Sequence, residues 1–204
     1  MASDLVVKVG GSLYDLPDLG RRLRQWLDAQ PTHRVLIVPG GGTAADLVRQ
    51  ADALDRLGEE RCHWLAIRAL SFTAHVLAAR LPGGQVLEDL AQCEAVWQRG
   101  QTPILDMHAF ALADEACPDH LPYRWSVTSD SLAARVAIVA GIPELRLLKS
   151  CASQSGWSWS DAADRGVVDA AFPEVMAKAG GNLTANVVNF RHWWGSLHDA
   201  RRNE

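Results

Sequence analysis

Val6-Val7-Lys8-Val9-Gly10-Gly11-Ser12-Leu13 and Val35-Leu36-Ile37-Val38-Pro39-Gly40-Gly41-Gly42 decide the fold. Each stretch opens as a short run of mostly branched apolar residues and closes on glycines. Such runs fit strands buried on both faces. The glycines let backbone N–H groups approach an anion closely, and the helix that follows adds the positive end of its dipole. Lys8 stands out in this setting. An ammonium inside an oily strand is costly to bury unless a negative group neutralises it, and a phosphate would do so. Neither turn continues into the Gly-Lys-Ser/Thr of a P-loop, and neither is G-x-G-x-x-G.

Working outward, residues 15–29 read as a helix, with Asp15 as its cap and Pro17 in its first turn. Leu19, Leu23, Trp26 and Leu27 recur there at helical spacing. Further helices are expected over 43–54, 59–80, 88–99 and 131–140. Strands are expected over 5–9, 34–38, near Val86, and over 103–105, 145–148 and 186–189. Residues 114–123 hold two prolines and read as a loop. Residues 151–159 read as polar and irregular, with a helical turn at 160–165. Strands alternating with helices imply an α/β fold: a three-layer αβα sandwich around an open, mainly parallel central sheet. With no internal repeat or low-complexity linker, residues 1–204 form one expected domain. Within it two closely joined lobes are expected, over 1–124 and 125–204.

Composition narrows the function. The chain has 204 residues, 48% hydrophobic and 22% charged, with a net charge of -4. That balance suits a globular core and disfavours general nucleic-acid binding, which needs clustered positive charge. No apolar run approaches the roughly 20 residues that span a bilayer, so a cytoplasmic protein with no membrane or nucleic-acid partner is expected. Cys62, Cys93, Cys117 and Cys151 lack metal-finger spacing and read as free thiols, so no metal site is assigned to side chains. Of 20 basic residues only Lys8, Lys149 and Lys178 are lysines. Where lysine stands among arginines, a compact point charge is suggested.

A third segment, Trp125-Ser126-Val127-Thr128-Ser129-Asp130-Ser131-Leu132-Ala133, crowds hydroxyls and a carboxylate just before a helix. Ser129 or Asp130 could cap that helix, and the same groups could face an acceptor's phosphate. Together with VVKVGGSL and VLIVPGGG, in this order and spacing, WSVTSDSLA resembles the amino acid kinase family, which includes acetylglutamate, uridylate, carbamate and isopentenyl phosphate kinases. The resemblance covers most of the chain and is weakest over residues 150–163. LAIRAL (65–70), GVVDAAFP (166–173) and NVVNFRH (186–192) are most similar to the short kinases of methanofuran biosynthesis, which convert an aminomethylfuran monophosphate to its diphosphate.

The resemblance implies ATP and Mg²⁺ as cofactors, a small phosphorylated substrate and a homo-oligomer. It implies that Lys8 steadies the transferred phosphoryl group and that Asp130 orients lysine. Gly10, Gly11 and Ser12 would meet nucleotide phosphates, while Gly40, Gly41 and Gly42 hold the acceptor. Thr128 and Ser129 would contact the acceptor's phosphate. Lys149 is either an ATP contact or a strand-end surface lysine, and Arg68 either grips a phosphate or faces solvent. Lys178 reads as a surface residue, and His192, Trp193 and Trp194 as C-terminal packing or an oligomer contact. The family's Asp-Gly turn is missing after Lys149, where Ser150-Cys151-Ala152-Ser153-Gln154-Ser155-Gly156 stands, with Trp157 and Trp159 beyond. Those indoles either pack or stack on the base. A UMP or isopentenyl phosphate acceptor, or a nucleotide-binding protein without catalysis, are the alternatives.

Overall fold

The computed structural model describes residues 4–32, 34–151, 154 and 156–193. Six strands form one sheet: β1 (Leu5–Val9), β2 (Val35–Pro39), β3 (Gly84–Leu87), β4 (Thr102–Leu105), β5 (Glu144–Lys149) and β6 (Thr184–Asn189). Their order is β3-β4-β2-β1-β5-β6, and every pairing is parallel. β1 lies inside the sheet, with Lys8 opposite Val38 on one side and Leu147 on the other. The carboxyl ends of β1, β2 and β5 therefore meet at one edge, where ligands of open α/β sheets bind.

Parallel strands need crossover helices, and these cover both faces. One face packs α1 (Leu19–Asp28) through Leu19, Leu23, Trp26 and Leu27 onto Leu5, Val7, Val9, Val35 and Ile37. The opposite face packs α4 (Cys93–Gln98), α5 (Met107–Asp114), α6 (Ser129–Ala140), α7 (Trp159–Asp164) and α8 (Phe172–Ala179) over Val6, Leu36, Val38, Leu145 and Leu147. α2 (Gly42–Asp55) and α3 (Glu59–Arg80) follow the second glycine turn. α3 spans both cores, with Ile67 and Leu70 in one and Ala74 and Leu77 in the other.

The expected three-layer fold is the one found, with corrections at element ends. α1 begins at Leu19, not Asp15. A 3-10 turn over Gly11–Leu13 intervenes, and Asp18 has φ 53, which interrupts the helical path. Asp15 instead meets Arg191, at 2.5 Å. The helix expected over 88–99 is a 3-10 turn, Leu90–Gln92, then the six-residue α4. α5, which the sequence reading passed over, is started by Asp106, whose carboxylate accepts from the backbone N–H of His108 and Ala109. No helix among the described residues is long and apolar enough to cross a membrane.

Gly20 of α1 shows how closely α1 and α3 approach. A Cβ there would lie 1.6 Å from the backbone oxygen of Arg80. Gly20→Ala should cost about 3 kcal/mol, the upper range for overpacking. A urea denaturation curve should show the midpoint falling at unchanged slope.

Candidate active site

The two-residue period of a strand dictates which side chains meet. On β1, Leu5, Val7 and Val9 enter the α1 core, which leaves Val6 and Lys8 on the α6 face. On β5, Leu145 and Leu147 take that same face, and Lys149 follows in the same parity. Asp130 sits in the first turn of α6, above the carboxyl ends of both strands. Its Oδ1 lies 2.8 Å from Lys8 Nζ, and its Oδ2 accepts a hydrogen bond from Lys149 Nζ at 2.6 Å. The side chains of Lys8, Asp130 and Lys149 are 4%, 5% and 14% exposed.

Three charges of net +1, Lys8 and Asp130 buried and Lys149 nearly so, set unusual proton affinities. Burial pushes the Lys149 ammonium down to about 8, the neighbouring charge of Lys8 adds to the fall, and Asp130 opposes it. Burial alone would raise the Asp130 carboxyl, but Lys8 and Lys149 together hold it below the usual carboxylate range. At an effective dielectric near 20, each lysine–aspartate contact is worth roughly 6 kcal/mol of attraction. Desolvation takes back several kcal/mol per ion. The trio therefore adds little net stability, and its surplus positive charge would be balanced by an anion. This revises the reading of Lys8. Its first counter-charge is Asp130, not a phosphate, and the surplus arises because Lys149 joins the same carboxylate.

The two glycine turns press backbone against backbone beside this cluster. A Cβ on Gly11 would lie 2.4 Å from the nitrogen of Gly42, and one on Gly40 would lie 2.5 Å from the nitrogen of Gly11. Gly10 N–H donates to the Leu148 carbonyl at 2.8 Å, and its own Cβ would meet that oxygen at 2.6 Å. Close approach of chain to chain thus requires these glycines independently of any ligand. From α3, the Thr73 hydroxyl donates to the Gly40 carbonyl at 2.9 Å.

A cleft of about 630 Å³ opens over the turns, between α2, α3 and the start of α6. Of the expected residues, Gly11, Ser12, Gly41, Gly42, Thr128 and Ser129 line it. Gly40 lies in the contact between the turns, and Ser129 joins the cleft directly to Asp130 of the charged cluster. Ser12 Oγ also lies 2.9 Å from Ser150 Oγ, which ties the first turn to the end of β5. Arg68 is not brought to this cleft. His63, Ile67 and Leu70 carry the cleft-facing side of α3, and Arg68, about 100° on from Ile67, is exposed over a separate depression with Arg61 and Trp64.

Several functional candidates escaped the sequence reading. Arg49, Arg124 and Arg191 bring positive charge to the cleft. Arg191 donates to the Ser12 carbonyl at 2.8 Å from 179 residues away, which no local pattern reveals. Asp169, inside the quoted GVVDAAFP, caps two helices at once. Its carboxylate accepts from the backbone N–H of Thr128, Ser131 and Phe172 at 3.0, 2.9 and 3.0 Å. It also accepts from the hydroxyl of Thr128 at 2.8 Å and from that of Ser131. The cap of α6 is therefore supplied from outside the helix. Neither Ser129 nor Asp130 is its N-cap; Thr128 is, and makes no side-chain cap bond within the helix.

Elsewhere Lys178 pairs with Glu174 at 2.8 Å on the surface. Trp157 lies under Arg165, and Trp159 packs edge-on against Phe172 with centroids 4.9 Å apart. Phe190 stacks on Trp193, while Trp194, Ala152, Ser153 and Ser155 lie outside the described residues. The four cysteines are free thiols. Among the described residues, no three of His, Cys, Asp and Glu come together to hold a metal ion.

Comparison with known proteins bears on this geometry. No protein-family profile matches the chain. Over 141 residues it is 26% identical to the [5-(aminomethyl)furan-3-yl]methyl phosphate kinase of Methanocaldococcus jannaschii, covering 69% of this chain and 62% of that protein. The match thus spans less than two thirds of the curated relative's length. Among solved structures, the UMP kinase of Bacillus anthracis superposes with a TM-score of 0.64 at 13% identity, covering 93% of this chain and 88% of that one. The UMP kinase of Ureaplasma parvum gives 0.63 at 15% identity over 93% and 90%. The uridylate kinase of Archaeoglobus fulgidus gives 0.61 at 15% identity over 91% and 90%. The chain has the fold these structures share, the amino acid kinase fold.

Asp169→Ala should remove two helix caps together and cost about 2–3 kcal/mol. Urea unfolding checks this, and amide exchange at Ser131 and Phe172 should accelerate.

Proposed function

We propose that this chain, an α/β protein with the amino acid kinase fold, transfers the γ-phosphoryl group of ATP to a small acceptor that already carries a phosphate. The proposed acceptor is (5-(aminomethyl)furan-3-yl)methyl phosphate and the product its diphosphate, in methanofuran-type cofactor synthesis. The buried Lys8–Asp130–Lys149 trio of net +1, adjoining a cleft over two glycine turns, carries the kinase reading. Similarity to a kinase of that name supports the acceptor.

In this reading an oxygen of the acceptor's phosphate attacks the γ-phosphorus, the bond from γ-phosphorus to the bridging oxygen breaks, and ADP leaves with that electron pair. The attacking oxygen is already ionised at neutral pH, so no base is required, and catalysis rests on positioning and charge. Lys8 steadies the migrating group. Asp130 fixes the ammonium and does not remove a proton. Lys149, with the Gly11 N–H and Ser12, holds the nucleotide's phosphates; the Gly10 N–H, for which the resemblance implied the same role, instead donates to the Leu148 carbonyl. Gly41, Gly42 and Ser129 hold the acceptor, while Gly40 packs the two turns together and Thr128, whose N–H and hydroxyl both donate to Asp169, fixes the start of α6. Among the described residues no protein cage for magnesium is formed, and Asp130 is engaged by two lysines. A magnesium ion accompanying ATP would be held by phosphates and water and would neutralise their charge. We assign residues 1–124 to the acceptor lobe and 125–204 to the nucleotide lobe, in a cytoplasmic homo-oligomer.

An ADP-release assay with aminomethylfuran-methyl phosphate, UMP and isopentenyl phosphate tests the reading. The furan phosphate should give the highest kcat/KM. Preference for UMP or isopentenyl phosphate would replace the acceptor, and nucleotide binding without turnover on any of the three would leave a non-catalytic protein. Lys8→Ala should lower kcat by at least ~10³-fold. Its melting temperature should stay near the wild-type value, because Asp130 keeps Lys149 as a partner. Lys149 loses its proton as pH rises through about 8 in the free protein. kcat/KM for ATP, which reports the free enzyme, should fall across that range. Lys149→Arg, charged throughout, should move the fall to higher pH.

A further inference from the structure

His63 is a buried imidazole on the cleft-facing side of α3, 7% exposed. Trp64 packs edge-on against its ring with centroids 5.7 Å apart, and Tyr123 lies at 5.0 Å, so the ring is fixed in place. No protein group among the described residues hydrogen-bonds either ring nitrogen. Its ring nitrogens are not among the described polar atoms sealed from solvent without a partner, so water can reach them and a ligand in the cleft could take that water's place. Two cavities touch it. One, of about 20 Å³, has room for a single water and no ligand. The other is the large cleft. An imidazole has two nitrogens, and one water cannot serve both.

The position of His63 says which part of a ligand it would meet. Thr73, ten residues further along α3, bonds the glycine turn at Gly40. Ten helical residues span about 15 Å, which puts His63 at the end of the cleft away from the turns. The α3 wall between is apolar, formed by Ala66, Ile67 and Leu70, and across the cleft Trp125 and Leu132 face it together with Arg49, whose guanidinium lies 5.8 Å from the Trp125 ring centroid, and Arg124. The Trp125 indole is held by the Asp52 carboxylate at 3.2 Å.

We propose that His63 is a specificity-determining residue that hydrogen-bonds a polar group on the acceptor's body, at the end opposite its phosphate. The acceptor class this selects is a flat, mainly apolar ring bearing a hydrogen-bonding substituent, as against a purely hydrocarbon tail. Burial lowers the proton affinity of His63, with Glu115 opposing, so the ring is neutral at pH 7 and offers one donor and one acceptor. A site built around such a group discriminates strongly against analogues that lack it, because the buried partner is then left unpaired. This inference rests on the kinase reading above.

The test compares wild type, His63→Leu and His63→Gln on aminomethylfuran-methyl phosphate, UMP and isopentenyl phosphate. His63→Leu should lower kcat/KM for the preferred ring-bearing acceptor at least tenfold, with KM for ATP unchanged and no loss on isopentenyl phosphate. His63→Gln, which keeps a hydrogen-bonding end, should recover part of the loss. An equal loss on all three acceptors, or none, overturns the proposal. A second readout needs no turnover. With ¹⁵N-histidine labelling of the seven histidines, the His63 ring signals, identified by their absence in His63→Gln, should move on adding the ring-bearing acceptor and not on adding ATP. Signals that stay fixed while the acceptor saturates the Trp125 fluorescence change refute the contact. If wild type binds an acceptor and moves these signals but transfers no phosphate, the kinase reading fails and the His63 contact stands. If none of the three acceptors binds, both fail.

Discussion

One buried carboxylate shared by two ammonium groups, one buried and one mostly so, is the interaction on which the site depends. Asp130 lies between Lys8 on β1 and Lys149 on β5, and so joins two adjacent parallel strands to the helix that covers them. Its energetic meaning is in the imbalance. A simple buried pair would be neutral and inert. Here one positive charge is left over at the carboxyl edge of the sheet, and burial, with the Lys8 charge adding to it, reduces the proton affinity of Lys149. The fold gives up stability to keep that charge dry, and an anionic ligand is what would recover it.

The rest of the architecture keeps this cluster and its cleft in register. Two glycine turns touch backbone to backbone, which sets the spacing between β1 and the start of α2. Asp169 holds Thr128 and Ser131 from across the molecule and caps α8 with the same carboxylate. The hydroxyls of Thr128 and Ser131 therefore sit on a helix terminus anchored by the segment after β5. Movement of that segment would reach Thr128, Ser129 and Asp130 together.

Much of the frame was legible because it rests on short-range physics. Apolar strands alternating with helices, helical spacing and glycine punctuation pointed to the parallel α/β sheet and the turns at its edge. Parity on β1 and β5 could have placed Lys8 and Lys149 on one face, had the register of the strands been known. What escaped has a common cause, which is that it depends on contacts far apart in sequence. Arg191 reaches Ser12 from the last described segment, and Asp169 caps a helix that starts 40 residues before it. Arg68 erred in the opposite sense. Its residue type suggested a phosphate grip, but helical phase turns it away from Ile67 and the cleft. Asp15 and Pro17 signalled a helix start that the left-handed Asp18 postpones to Leu19.

The central claim is that the surplus positive charge beside Asp130 receives a migrating phosphoryl group. A crystal structure with a non-hydrolysable ATP analogue and the furan phosphate tests it most directly. The account predicts a γ-phosphate oxygen about 3 Å from Lys8 Nζ, with the acceptor's phosphate against Ser129. A triphosphate bound with its γ-phosphate away from Lys8 and Lys149, while the lysines keep only Asp130 for company, would contradict it.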